Sequence, residues 1–202
     1  MKKIICGLLA LAALSAPAAA AQYKIDADHS SVSFTVAHMA ISKVHGRFDK
    51  FSGTVEYDPK NPKGLKVEAS IDAASINTSV DARDKHLKSP DFFDAEKFPA
   101  LTFKSTRVLS VKGMSGKLEG ELTIHGVTKT VVLAVEGSGP AKDPWGNERM
   151  AATATTSINR KDFGLVWNKV METGGLLVGE KVDIVLEIEA VKEAPAPAAP
   201  AK

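Results

Sequence analysis

The side chains best suited to polar chemistry sit at three points in the chain. His38 ends an alternating run in which Phe34 and Val36 precede it on one face. Arg83, Asp84 and His86 fall within one turn of a helical pattern, and Arg160-Lys161-Asp162 follows another alternating run. Arginine's planar guanidinium matches phosphate or carboxylate oxygens and stays charged at neutral pH. Arg83 or Arg160 could therefore hold an anionic headgroup, with Asp84 orienting Arg83 and His38 or His86 adding an imidazole. The same residues also read as a core histidine bonded to a backbone group, a solvated helix face, or structural ion pairs. Phe34, Val36, Phe92, Phe93 and Trp167 complete the candidate ligand-binding set with apolar surface.

Catalytic signatures are missing. The sequence has no G-x-S-x-G elbow, no H-E-x-x-H pair and no glycine-rich phosphate loop. Serine, histidine and aspartate occur at no spacing that selects a triad. His38 with His45, and Asp84 with His86, match no metal-ligand framework. No catalytic residue, metal ligand or cofactor is assigned.

These side chains must be positioned by strands, because period-two alternation dominates the chain. Val32, Phe34, Val36 and His38 lie opposite Ser31, Ser33, Thr35 and Ala37. Leu65 to Ala73 and Val182 to Ala190 alternate in the same way, and similar runs span 23–28, 51–57, 101–109, 117–125, 127–136 and 150–158. Such runs predict about eight or nine antiparallel strands with one wet face. Turn chemistry separates them, notably at 59–64, 112–113, 125–126 and 137–146, and no proline interrupts the predicted strand interiors.

Many antiparallel strands must stack as a sandwich or close as a barrel. Runs of nine or more residues reach roughly 30 Å, a length that favours an extended up-and-down barrel. Small facing residues (Ala69, Ala73, Gly120, Ala152, Ala154, Thr156) would leave its interior open. Asn77 to Ser89 breaks the strand rhythm and predicts a short helix near 79–89, capped by Asn77 or Ser79, over one barrel end. The glycine-rich stretch 161–179 reads as a lid, a surface for a partner subunit, or a packed irregular loop.

The termini differ from this body. Lys2 and Lys3 precede an apolar run from Ile4 to Leu14 and then four alanines, Ala18 to Ala21. The pattern predicts a secretory signal peptide over 1–21, too short to span a bilayer, and delivery to the periplasm. Removing it takes the formal charge from +2 to zero, which leaves no electrostatic footprint for nucleic acid. It also removes Cys6, the only cysteine, and with it disulfides and thiolate chemistry. Residues 192–202 form a Pro/Ala-rich tail that cannot pack a core. One domain over 22–191 remains, and the chain as a whole has an ordinary globular composition of 44% hydrophobic and 25% charged residues.

Several segments, in order, resemble the YceI-like family of exported lipid- or polyisoprenoid-binding proteins. They are Asp28 to Phe34 with His38, Gly46-Arg47-Phe48 with Phe51-Ser52-Gly53, Arg83 to Asp94, Phe98-Pro99 with Phe103 to Thr106, Gly120 to Thr128, and Arg160 to Leu165 with Trp167. The resemblance implies a lipocalin-like antiparallel barrel holding a long apolar ligand lengthwise, often in a homodimer. The expected partner is an isoprenoid, quinone or fatty-acid-like lipid, with no nucleic acid and no stable membrane span after signal cleavage. Binding without catalysis is the leading expectation. An enzyme built on Asp84, His86 and His38, or a ligand-free stress-protective protein with a filled barrel, are the alternatives.

Overall fold

Alternating inward and outward side chains close on themselves in a computed structural model that describes residues 20–172 and 174–194. The strands are β1 (Ala21–Ile25), β2 (Ser31–His38), β3 (Ser42–Phe48), β4 (Phe51–Tyr57), β5 (Lys66–Asp72), β6 (Ile76–Asn77), β7 (Ala100–Lys112), β8 (Ser115–Ile124), β9 (Val127–Lys142), β10 (Glu148–Asn159) and β11 (Val178–Lys192). Helix α1 (Asp81–Lys88) lies between β6 and β7. All pairings are antiparallel, and β11 pairs back to β1 with Tyr23 opposite Lys192.

Three pairs of short strands each act as one interrupted stave. β2 pairs with β3 while β1 pairs with β4, and β3 pairs with β6 while β4 pairs with β5. Counting β1/β2, β3/β4 and β5/β6 once each gives the expected eight-stranded closed barrel with one short helix. Closure pairs every stave on both sides, so the backbone donors of an open sheet edge find partners. Sequence alternation at Ser42–Phe48 is blurred because its inward positions are Val44, Gly46 and Phe48. Glycine there carries no hydrophobic signal, so β3 escapes a pattern search.

Strand β9 also runs further than the turn-rich composition of 137–146 predicts, and it contains Pro140. Gly139 has φ +90°, and the pairing with β10 shifts register between Arg149 and Ala151. That bulge accommodates the missing proline N–H without breaking the ladder.

One barrel end is filled. Phe48, Ile76, Leu101, Ile124, Phe163 and Leu165 form a buried cluster against which Leu87 of α1 and Phe93 pack. Phe93 meets Phe48 edge to face, with centroids 5.8 Å apart. Helix α1 starts one residue after Val80, which makes no side-chain cap. Neither Asn77 nor Ser79 caps it as expected, because Ser79 takes a left-handed φ of 63° and its N–H donates to Asn77 Oδ1 instead.

Most of the predicted signal peptide (1–19) and of the tail (195–202) lies outside the described residues. β1 begins at Ala21, and β11 runs through Lys192, one residue past the predicted domain limit. Beyond it, the Glu193 N–H still donates to Gln22 O. No helix among the described residues is long and apolar enough to cross a membrane.

Candidate functional site: an apolar tunnel in the barrel

Inward side chains leave a cavity of about 320 Å³ along the barrel interior. That lies at the lower end of the roughly 300–1,000 Å³ typical of small-molecule sites. The cavity runs from Arg160, Leu165 and Phe93 at the filled end to Pro62, Val111 and Met114 at the other, and its wall is almost wholly apolar. Water gains little from such a wall, which suits a greasy ligand.

Specific residues keep it open. Ala69, Ala152, Ala154 and Thr156 line it as expected, and their short side chains reach little way into the lumen. Of the other two small residues, Ala73 is fully buried in the end cluster and Gly120 is covered by the ring of Phe103. The ring tip of Phe34 likewise rests where a Cβ on Gly46 would stand. Two glycines thus let inward aromatic rings lie back against the wall.

The candidate residues divide by position. Phe34, Val36, Phe92, Phe93 and Arg160 line the cavity, whereas His38, Arg83, Asp84, His86 and Trp167 fall outside its lining. His38 lies at the end of β2, opposite Ser42 and beside the turn into β3, past the reach of the lumen. The alternation placed it on the inward face, but the face runs out before the residue does.

Arg83 donates from Nε to Thr78 Oγ1 at 2.7 Å and from a terminal nitrogen to the Thr78 carbonyl at 2.8 Å. Asp84 Oδ1 accepts from the Thr78 N–H at 2.9 Å and from its hydroxyl at 2.5 Å. Thr78 is buried, so this knot satisfies its polar groups and pins α1 to the end of β6. His86 Nε2 bonds Asp91 Oδ2 at 2.9 Å, and its ring sits edge-on to both Phe92 (5.0 Å) and Trp167 (4.8 Å). The result is an aromatic bracket joining α1 to the 161–179 stretch.

That stretch is partly a plug. Phe163 and Leu165 are buried in the end cluster, while Val166, Val170 and Leu176 face outward. Arg160 holds it in place: Nε donates to Gly179 O at 2.9 Å, and the terminal nitrogens donate to the carbonyls of Leu165 and Val178. Only 3% of Arg160 is exposed, and no carboxylate among the described residues lies within ion-pair distance. Burial pushes its pKa below the usual guanidinium value, and the charge of Glu180 partly opposes this. Arg160 remains a cation held by carbonyl dipoles at the tunnel floor.

Asp26, His29 and Glu189 lie close enough together to share a metal ion. Arg149 already occupies that position, with Nη1 2.8 Å from Asp26 and 2.5 Å from Glu189. The guanidinium supplies the positive charge there. His45, the other histidine weighed as a ligand, bonds Thr35 Oγ1 across the ladder at 3.0 Å.

Residues outside the candidate ligand-binding set supply much of the wall, including Phe51, Phe103, Leu118, Leu122 and Leu186. Their signal was present as every second residue of β4, β7, β8 and β11.

Wall, floor and lumen together define a lipocalin-like barrel with an apolar interior large enough for a ligand. The model for the YceI-like domain matches residues 23–190, and the chain belongs to that family. A UPF0312 protein of Vibrio parahaemolyticus is 41% identical, with 96% of this chain and all of the relative aligned. Among solved structures, a YceI protein of Campylobacter jejuni is similar at 32% identity and TM-score 0.67, covering 78% of this chain and 90% of its own. A polyisoprenoid-binding domain from Saccharophagus degradans shares the fold at 18% identity and TM-score 0.62, covering 86% and 99%.

Proposed function

We propose that the protein holds a long-chain isoprenoid or similar amphiphilic lipid inside its barrel, unaltered, as a carrier, store or sequestering agent in the periplasm. The observation that carries this reading is the apolar tunnel that the side chains leave open from Arg160 to Met114. Burying several hundred Å² of hydrocarbon there yields a gross driving force on the order of 10 kcal/mol before ordering costs. The family and its polyisoprenoid-binding neighbour support an isoprenoid-like ligand. A quinone or fatty-acid derivative meets the same wall chemistry. The apolar run and alanines ahead of β1 support export.

Binding fits the polar residues better than catalysis does. Asp84 is committed to Thr78, His86 to Asp91 and the aromatic bracket, and His38 lies at a turn, so the three build no shared acid-base site. A filled, ligand-free barrel does not fit the open lumen. The family's homodimer finds support in an outward apolar face where Met39 N–H meets Leu177 O and Ile41, Val170 and Leu176 stand exposed. Ile41→Asp should then shift the mass in solution to that of a monomer.

The test is mass spectrometry of an organic extract from protein purified without detergent. An isoprenoid, quinone or fatty-acid-like lipid near one equivalent is expected, and Ala152→Phe, which fills the lumen, should lose it. A wild-type barrel that is empty and takes up no added lipid would overturn the proposal.

A further inference from the structure

A tunnel for a lipid needs a route for that lipid through water, because each exposed CH₂ costs about 0.8 kcal/mol. The far end of this tunnel has a composition that bears on the route. Val111 and Met114, at the tip of the β7–β8 hairpin, line the cavity and are also 37% and 43% exposed. Pro62 and Leu65, in the adjoining β4–β5 connection, line the same end. The apolar lining thus reaches the outer rim, where Ser110, Ser115 and Lys117 of the same hairpin also line the opening.

Lysines flank one sector of that rim. Lys60 and Lys63 stand in the β4–β5 connection and Lys112 stands beside Gly113 at the hairpin tip, all exposed. None of the three is in an ion pair among the described residues. Nearby acids are Asp58, whose Oδ1 accepts the Lys60 N–H, Glu56, paired with Lys66, Glu136, opposite Ser115 on β9, and, on the β9–β10 side, Asp143, paired with Arg149, and Glu148, paired with Lys192. The sector stays net positive. On the β9–β10 hairpin, whose base supplies Met150 and Ala151 to the lining, Trp145 is 82% exposed. Exposed apolar and indole side chains flanked by unpaired lysines are the combination that seats a protein at an anionic membrane surface.

We propose that this lysine-flanked rim docks on an anionic lipid bilayer, placing the tunnel mouth against the surface so that lipid passes between membrane and barrel without crossing water. The proposal rests on the lipid-holding reading above for its purpose, but docking itself is measured independently of any lipid in the lumen. A neutral mature domain with a local basic rim will orient rather than bind uniformly.

The test is co-sedimentation of the purified protein with vesicles of phosphatidylcholine alone and of phosphatidylcholine with about one-third phosphatidylglycerol. Binding to the anionic vesicles, release by roughly 0.5 M salt, and little binding to neutral vesicles are expected. Lys60→Glu/Lys63→Glu/Lys112→Glu should weaken anionic-vesicle binding at least about tenfold. The same variant should still take up a short, water-dispersed isoprenoid alcohol, because none of the three side chains lines the tunnel. Equal binding to neutral and anionic vesicles, no binding to either, or an unchanged triple variant would overturn the proposal. Wild-type protein that sediments with anionic vesicles but takes up no isoprenoid would uphold the docking surface and remove the lipid-holding reading instead.

Discussion

The ring of Phe34 occupies the place that a side chain at Gly46 would take, directly across the β2–β3 ladder. Phe34 lines the tunnel, so the empty space it leaves depends on glycine opposite it. An aromatic laid over a cross-strand glycine covers the exposed backbone and keeps its own bulk out of the lumen. Other glycines of the wall are constrained differently. A Cβ on Gly53 would stand 2.5 Å from the backbone oxygen of Glu68, which cannot swing aside.

Gly46→Ala should therefore move Phe34 inward at modest cost, about 1 kcal/mol at the low end for overpacking, and cut retained lipid by at least half. Gly53→Ala should instead lower the melting temperature more than Gly46→Ala does. Thermal melts with quantified lipid extracts check both. Unchanged lipid content in Gly46→Ala would show that the glycine does not set the lumen.

Much of this was legible in the sequence because a barrel writes itself in period two. Phe34 and Val36 announce the inward face of β2, and Leu118, Leu122 and Ile124 do the same for β8. Glycine defeated the same reading at β3, where the residue that matters at Gly46 is one with no side chain. The contacts of the polar candidates were hidden for a different reason. Spacing put Arg83, Asp84 and His86 on one helical turn but could not show that a buried threonine five or six residues away would claim the first two. Arg160 was found by its place after a strand, yet its partners are carbonyls as far away as Gly179, which no local pattern reveals.

Arg83→Ala discriminates between the two roles weighed for this arginine. Its contacts all go to Thr78, which is buried and left with fewer partners by the change. The expected outcome is an unchanged class and amount of bound lipid. Stability should fall by about 1–2 kcal/mol, lowering the melting temperature by roughly 3–6 °C for a domain of this size. A changed lipid profile without loss of stability would return Arg83 to the ligand.

Arg160→Met should do more damage. It removes a buried cation but leaves the carbonyls of Leu165, Val178 and Gly179 without their donor, a loss of about 2–4 kcal/mol. Because those carbonyls belong to the plug and the start of β11, amide exchange over 164–179 should rise before exchange elsewhere. Uniform acceleration across the barrel would mean that Arg160 supports the whole fold and not the plug in particular.

Arg149 gives the protein its expected acid sensitivity. It donates to Asp143 and Asp26 at 2.8 Å and to Glu189 at 2.5 Å, tying the β9–β10 hairpin to the break between β1 and β2 and to β11. Hydrogen bonds from this guanidinium are the main cause holding the Asp26 and Asp143 carboxyls down at about 2, against an ordinary 3.8. A folded pKa below the unfolded one adds stability above about pH 4, and that stability is lost as pH falls toward 2. His29 works in the opposite sense. Its pKa is raised by Asp26, so its contribution is full below 6.5 and fades as pH rises through the folded value. Wild-type melting temperature should thus drop between pH 4 and pH 2. Arg149→Met should start lower at pH 7 and drop less over that interval, since its carboxyls return toward ordinary values. Melts of both proteins across pH 2 to 7 measure the difference, and parallel curves would place the acid sensitivity elsewhere.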